Sequence, residues 1–172
     1  MESFVQRLED AIVTKKSPLV IGLDPDLSRF PPALRTAAAQ DKEAAARAIL
    51  AFNRALIDAT CELAAAVKPQ AAFYERYGSA GIRALEETAA YARRKGLLVI
   101  LDAKRGDVPN TAAMYAQAYL APDSQAACPA DALTVNPYLG RDSVDPFVQA
   151  AQENGKGIFV LVRTSNPGAG DL

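Results

Sequence analysis

Short apolar segments alternate with amphipathic stretches along the chain, and this alternation restricts the fold more than any other feature of the sequence. Residues 19–24, 65–68, 97–101, 130–135 and 157–163 are apolar runs of strand length, closed by an acid, a proline or a glycine-containing turn. Between them, residues 41–65 carry Ile49, Phe52, Leu56 and Leu63 at three- and four-residue helical intervals. Residues 78–95 repeat the pattern with Ile82, Leu85 and Ala89, and Gly96 follows where a left-handed cap is favoured. Pro109 suits the first turn of a helix over 110–120, since the donor it lacks has no partner there. A further helix over 142–154 stops at Gly155. Ahead of the first strand, residues 1–16 place Phe4, Leu8 and Ile12 on one helical stripe, and the prolines at 25, 31 and 32 predict a loop after it.

Strand and helix in strict alternation imply parallel strands joined by right-handed crossovers, hence the α/β class. Either a doubly wound sheet or a (β/α)8 TIM barrel satisfies that order. No G-x-G-x-x-G follows any strand, so the barrel is the expected architecture. A complete barrel takes about 250 residues. The 172 residues are therefore expected to form a single domain, 1–172, holding about the first five strands, with the remainder missing beyond Leu172 and strands one and five left as open edges.

Formal net charge is -1, from 19 basic and 20 acidic residues interleaved along the chain, which gives no basic face for nucleic acid or an anionic membrane. No segment has the length and hydropathy of a membrane span, and the start lacks the basic and apolar blocks of a signal peptide. Cys61 and Cys128 stand apart without a C-x-x-C pairing, so reduced, buried thiols in a cytoplasmic protein are expected. The chain has no histidine. Proton transfer must then fall to lysine and carboxylates.

Those groups collect at strand ends. The run LLVILDAKRGD passes from a buried strand into Asp102, Lys104 and Asp107, Asp24 closes the first strand, and Lys68 closes the second. In a barrel such ends converge on one cavity. Taken singly, Asp24 before a proline is equally a turn residue and Lys68 equally a surface lysine. Together they form an array in which opposite charges keep one another ionised and a lysine between carboxylates becomes a fixed cation. Such a cation can stabilise negative charge developing on a substrate atom and then deliver a proton. A substrate that sheds a carboxylate relieves repulsion from the acids. The array is thus suited to decarboxylation without metal, cofactor or histidine.

These residues resemble one family, orotidine 5'-phosphate decarboxylase, which makes UMP in pyrimidine biosynthesis, in its longer bacterial form. The resemblance rests on D-x-K-x-x-D in LDAKRGD together with GLDPD at 22–26, VKPQAAFYERYGSAG at 67–81, VNPYLGRDS at 135–143 and TSNPGAG at 164–170. It implies that Lys104 protonates the sixth pyrimidine carbon after carbon dioxide leaves and that Asp102 faces the substrate carboxylate. Lys68 and Asp24 would hold the ribose hydroxyls. The resemblance further implies a homodimer in which Asp107, with Thr111 one turn on, reaches into the neighbouring subunit's site. Thr111 could equally be a helix-face residue. Ser165 would read the pyrimidine edge, although a turn role suits it too. No cofactor and no metal are implied. Phosphate would be gripped by loops after the last barrel strands, including one bearing glutamine and an arginine, so a chain of this extent is expected to be catalytically weak.

Two other readings stay open. D-x-K-x-x-D also occurs in magnesium-dependent sugar-phosphate decarboxylases and aldolases of the same superfamily, although these give no reason for VKPQ and TSNPGAG to appear together. A non-catalytic half barrel acting as a binding module is the other.

Overall fold

The computed structural model describes residues 2–171; Met1, at the start of the helix expected over 1–16, and Leu172 lie outside them. Five parallel strands lie side by side in sequence order: β1 (Val20–Leu23), β2 (Ala66–Pro69), β3 (Leu98–Arg105), β4 (Ala132–Val135) and β5 (Gly157–Val160). A doubly wound sheet reverses its strand order at a switch point, whereas a barrel wall adds each strand beside the last. The order β1-β2-β3-β4-β5 is the barrel's, and β1 and β5 form the two edges. Val20, Phe159 and Val160 on those edges are exposed.

Helix α1 (Phe4–Lys15) precedes β1, and α2 (Pro32–Ala38) and α3 (Lys42–Thr60) follow it. Helices α4 (Ala71–Glu75) and α5 (Gly78–Arg94) lie between β2 and β3, α6 (Pro109–Leu120) between β3 and β4, and α7 (Arg141–Asn154) between β4 and β5. The long helices stand where the sequence predicts them, except that the one expected over 41–65 ends at Thr60 and leaves Leu63 exposed in the turn that follows. Two short ones do not: α2 occupies part of the proline-rich segment read as loop, because Pro32 sits in its first turn, where proline's fixed φ favours the helix. Helix α4 begins directly after β2 and has no polar cap to mark it.

Successive strand residues point to opposite faces, and the two faces differ. Leu23, Val67, Val99, Leu101, Leu133 and Val135 point outward into the main core against the helices, which carry Ile49, Ile57, Leu85, Leu120 and Phe147 into the same layer. Both cysteines are free and buried as expected, and burial pushes the Cys128 thiol up to about 12. At Gly81 a side chain would meet the Tyr74 carbonyl oxygen at 1.9 Å, so glycine is what lets α5 pass so close to the end of α4. A buried polar knot joins these helices: Asn53 donates to the Tyr74 hydroxyl at 2.9 Å and to Thr88 at 3.2 Å.

On the inner face, Ala66, Ile100 and Ala132 form a separate small cluster plugged by Phe4 of α1. The ring of Phe4 also meets Phe159 edge-on at 6.0 Å. Helix α1 is started by a capping box, with Gln6 N–H donating to Ser3 Oγ at 3.2 Å and Ser3 N–H to Gln6 Oε1 at 2.9 Å. It is tied across the strand starts by Arg7, which donates to the buried Asp131 at 2.6 Å. Asp131 in turn accepts the Val99 amide at 2.9 Å.

Nearby, Asp123 lies between Arg93 at 2.6 Å and Lys156 at 2.7 Å. The Arg93 hydrogen bond, with help from Lys156, lowers its carboxyl from the usual 3.8 to about 2, against the opposing effect of burial. A carboxyl depressed on folding contributes stability above its unfolded pKa and loses it as pH falls through the folded value. Stability measured by urea unfolding is expected to drop as pH falls from about 4 to about 2, and Asp123→Asn should flatten that limb relative to the parent. An unchanged acid limb in the variant would assign the pH dependence to other carboxylates.

Candidate active site

Strand β3 runs to Arg105, four residues beyond its expected end, so Asp102 and Lys104 lie on the strand itself and not past it. Both point inward by alternation from Ile100. The register with β4 moves from Leu101↔Leu133 to Arg105↔Val135, which leaves extra β3 residues in a bulge spanning Asp102 to Lys104. Lys104 has φ of 49°, a left-handed conformation that costs a non-glycine residue about 1–2 kcal/mol. Bulges of this kind re-aim a side chain. Here the lysine stem turns back over Asp102.

Asp102 is the centre of the site and is 7% exposed. Its Oδ1 accepts from Lys104 Nζ at 2.5 Å and from the Thr134 hydroxyl at 3.0 Å. Its Oδ2 accepts from Lys68 Nζ at 3.0 Å and from Gln70 Nε2 at 3.0 Å. Each carboxylate oxygen therefore has two donors, which fills the group's accepting capacity. Burial works against ionisation, but the hydrogen bonds from Lys104, Lys68 and Thr134 outweigh it and hold the Asp102 carboxyl below the usual carboxylate range. A lysine between two carboxylates is the expectation from spacing; within this chain the arrangement is inverted, with one carboxylate between two ammonium groups.

Among the described residues, the remaining predicted residues make no hydrogen bond to this cluster. Asp24 follows β1, and its carboxylate folds back over Gly22, the register partner of Lys68, beside a hollow lined by Arg29, Phe30 and Phe52. Among the described residues it makes no hydrogen bond to Asp102 or either lysine. Asp107 follows β3, and its Oδ1 accepts the Val108 amide at 2.7 Å; among the described residues it makes no hydrogen bond to Asp102 or either lysine. Thr111 is in the first turn of α6, where Asn110 Oδ1 accepts its amide at 2.9 Å. Ser165 is exposed in the loop after β5. Among the described residues no group of three or more acidic, cysteine or histidine side chains is placed to hold a metal ion, and no helix is long and apolar enough to cross a membrane.

Gln70 and Thr134 are site residues that the strand-end charges do not reveal. Each had a signal in the alternation. Gln70 is two residues beyond Lys68 on the same face, and Thr134 is a polar residue on the inner face of the apolar LTV run.

Comparison with known proteins follows the same lines. Residues 17–172 match the family described as Orotidine 5'-phosphate decarboxylase / HUMPS. The chain is 46% identical to an orotidine 5'-phosphate decarboxylase of Rhodopirellula baltica over 175 residues, covering 100% of this chain and 58% of the relative. It is 51% identical to the enzyme of that name from Haloarcula marismortui over 169 residues, covering 98% and 55%. The structure of Leishmania donovani OMP decarboxylase superposes with a TM-score of 0.76 at 37% identity, covering 99% of this chain and 57% of that one. The chain thus spans little more than half the length of these relatives.

Proposed function

Because the chain belongs to the orotidine 5'-phosphate decarboxylase / HUMPS family, we propose that the cluster around Asp102 serves the decarboxylation of orotidine 5'-phosphate to UMP. The observation that carries this reading is an anionic, fully hydrogen-bonded Asp102 in direct contact with the Lys104 ammonium. A carboxylate whose four acceptor positions are filled cannot easily take up a proton, so it acts as a fixed negative charge. A substrate carboxylate brought beside it is repelled and relieved when the carbon–carbon bond breaks. The bonding pair stays on the sixth pyrimidine carbon as carbon dioxide departs. Lys104 stabilises that charge and then donates a proton from Nζ to form the new C–H bond, leaving a neutral amine that solvent reprotonates.

Lys68 is both the second cation on Asp102 and a ribose contact, together with Asp24. In this reading Asp107 and Thr111, whose hydrogen bonds are to their immediate neighbours, complete the ribose pocket of a second copy, and Ser165 meets the pyrimidine edge. The free cysteines suit a cytoplasmic setting, and the residues shared with a second copy make the assembly a homodimer. Proton transfer by lysine calls for no metal or cofactor.

The test is direct. Incubation with orotidine 5'-phosphate should reduce the pyrimidine absorbance at a rate that EDTA leaves unchanged, and UMP should shift the NMR signals of Lys68, Asp102 and Lys104. Turnover abolished by EDTA would favour a magnesium-dependent reaction of the same superfamily. The absence of both turnover and UMP-induced shifts would reject the assignment for this chain.

A further inference from the structure

Thr134 on the inner face of β4 has a hydroxyl with three protein partners. Its oxygen accepts the Ala103 amide at 3.0 Å and the Lys104 amide at 2.8 Å, and its proton goes to Asp102 Oδ1 at 3.0 Å. A hydroxyl offers two lone pairs and one proton. With both lone pairs engaged by main-chain donors, the proton is left one direction, toward the carboxylate. The two amides belong to the bulge, where β3 and β4 lose register and Lys104 takes its left-handed conformation. Such a conformation persists only where the surroundings enforce it. Between the registered pairs Leu101↔Leu133 and Arg105↔Val135, a single side-chain oxygen stands in for a strand carbonyl.

We infer that Thr134 is a positioning residue for Lys104 and Asp102: its hydroxyl fixes the backbone of the bulge and the orientation of the carboxylate at once. The 2.5 Å contact between the Lys104 ammonium and Asp102 Oδ1 depends on both. Without the hydroxyl, the bulge loses an acceptor for two adjacent amides, and Asp102 loses one of the bonds that hold it ionised. The consequence for rate rests on the decarboxylase reading. The clamp itself does not.

The experiment therefore reads the clamp without turnover. In the full chain, amide hydrogen exchange at Ala103 and Lys104 and the titration of the Asp102 carboxyl carbon are followed by NMR in the parent, Thr134→Val and Thr134→Ser. In the valine variant both amides should exchange about tenfold faster, the scale of one lost hydrogen bond. Asp102 should titrate at higher pH. Serine retains the hydroxyl and should return both readouts toward the parent. Either readout staying at the parent value in the valine variant, or serine moving as far as valine, overturns the inference. Thr134→Ala carries the same readouts if the valine variant does not fold. With orotidine 5'-phosphate, kcat should fall in the valine variant more than KM changes and recover with serine. A parent chain with neither turnover nor UMP binding overturns the decarboxylase reading alone, and exchange and titration then decide the clamp.

Discussion

Lys104→Ala is expected to remove measurable decarboxylation while the fold stays intact. The ammonium has two tasks in the proposed reaction, stabilising charge on carbon and delivering a proton. Proton donation by a placed side chain is worth about 10²–10⁴ in rate, and loss of one well-placed electrostatic contact costs about 10²–10³. These contributions overlap, so a loss of about 10⁴-fold is the expected scale. Stability should change little, because the side chain is 42% exposed and Asp102 keeps its bonds from Lys68, Gln70 and Thr134. The absorbance assay and far-ultraviolet circular dichroism separate the two outcomes, and a parent-like rate would refute the assignment of Lys104. Mixing Lys104→Ala with Asp107→Ala chains extends the test. If Asp107 serves a neighbouring site, hybrids regain one intact site; if activity stays absent, Asp107 acts in its own chain.

The second large effect lies at the opposite end of the strands. Phe4→Ala should destabilise the chain by about 3–5 kcal/mol in urea unfolding, the range for deleting a buried aromatic ring. Phe4 is 4% exposed and fills the inner face between Ala66, Ile100 and Ala132. Two of these three neighbours are alanines with no side-chain reach to close the gap. Gly157 shows how closely the space is filled, since a side chain there would come within 2.3 Å of the Phe4 ring. A cost below about 1 kcal/mol would mean that the inner cluster collapses around the cavity, which the backbone-bound alanines should prevent. Function in the folded fraction should persist.

Much of this architecture was legible because periodicity reports burial directly. The expected strand over 130–135 corresponds to β4 at Ala132–Val135, and the helix over 142–154 to α7 at Arg141–Asn154. The misreading of β3 has a physical cause: strand residues after Leu101 alternate between a charged interior and a half-buried exterior, so hydropathy falls while the backbone stays extended. Arg105 illustrates this, a cation on the outer face stacked over the rings of Tyr115 and Tyr119. Helix α4 escaped because five residues are too few to display a period. In the site, charge identified Lys68, Asp102 and Lys104, whereas the neutral donors Gln70 and Thr134 carry no such mark. Their roles arise from cross-strand neighbours, and a single sequence does not state which residues face one another.

The plug of Phe4 at Ile100 and the bulge that ends at Lys104 lie on one strand, and the side chains packed around Phe4 are not those bonded to Lys104. Sites without common partners behave independently. Lineages of this architecture are therefore free to exchange the reaction run at one mouth of the cylinder while inheriting its durability unaltered from the other, and a double change at both ends should show the simple sum of the two losses.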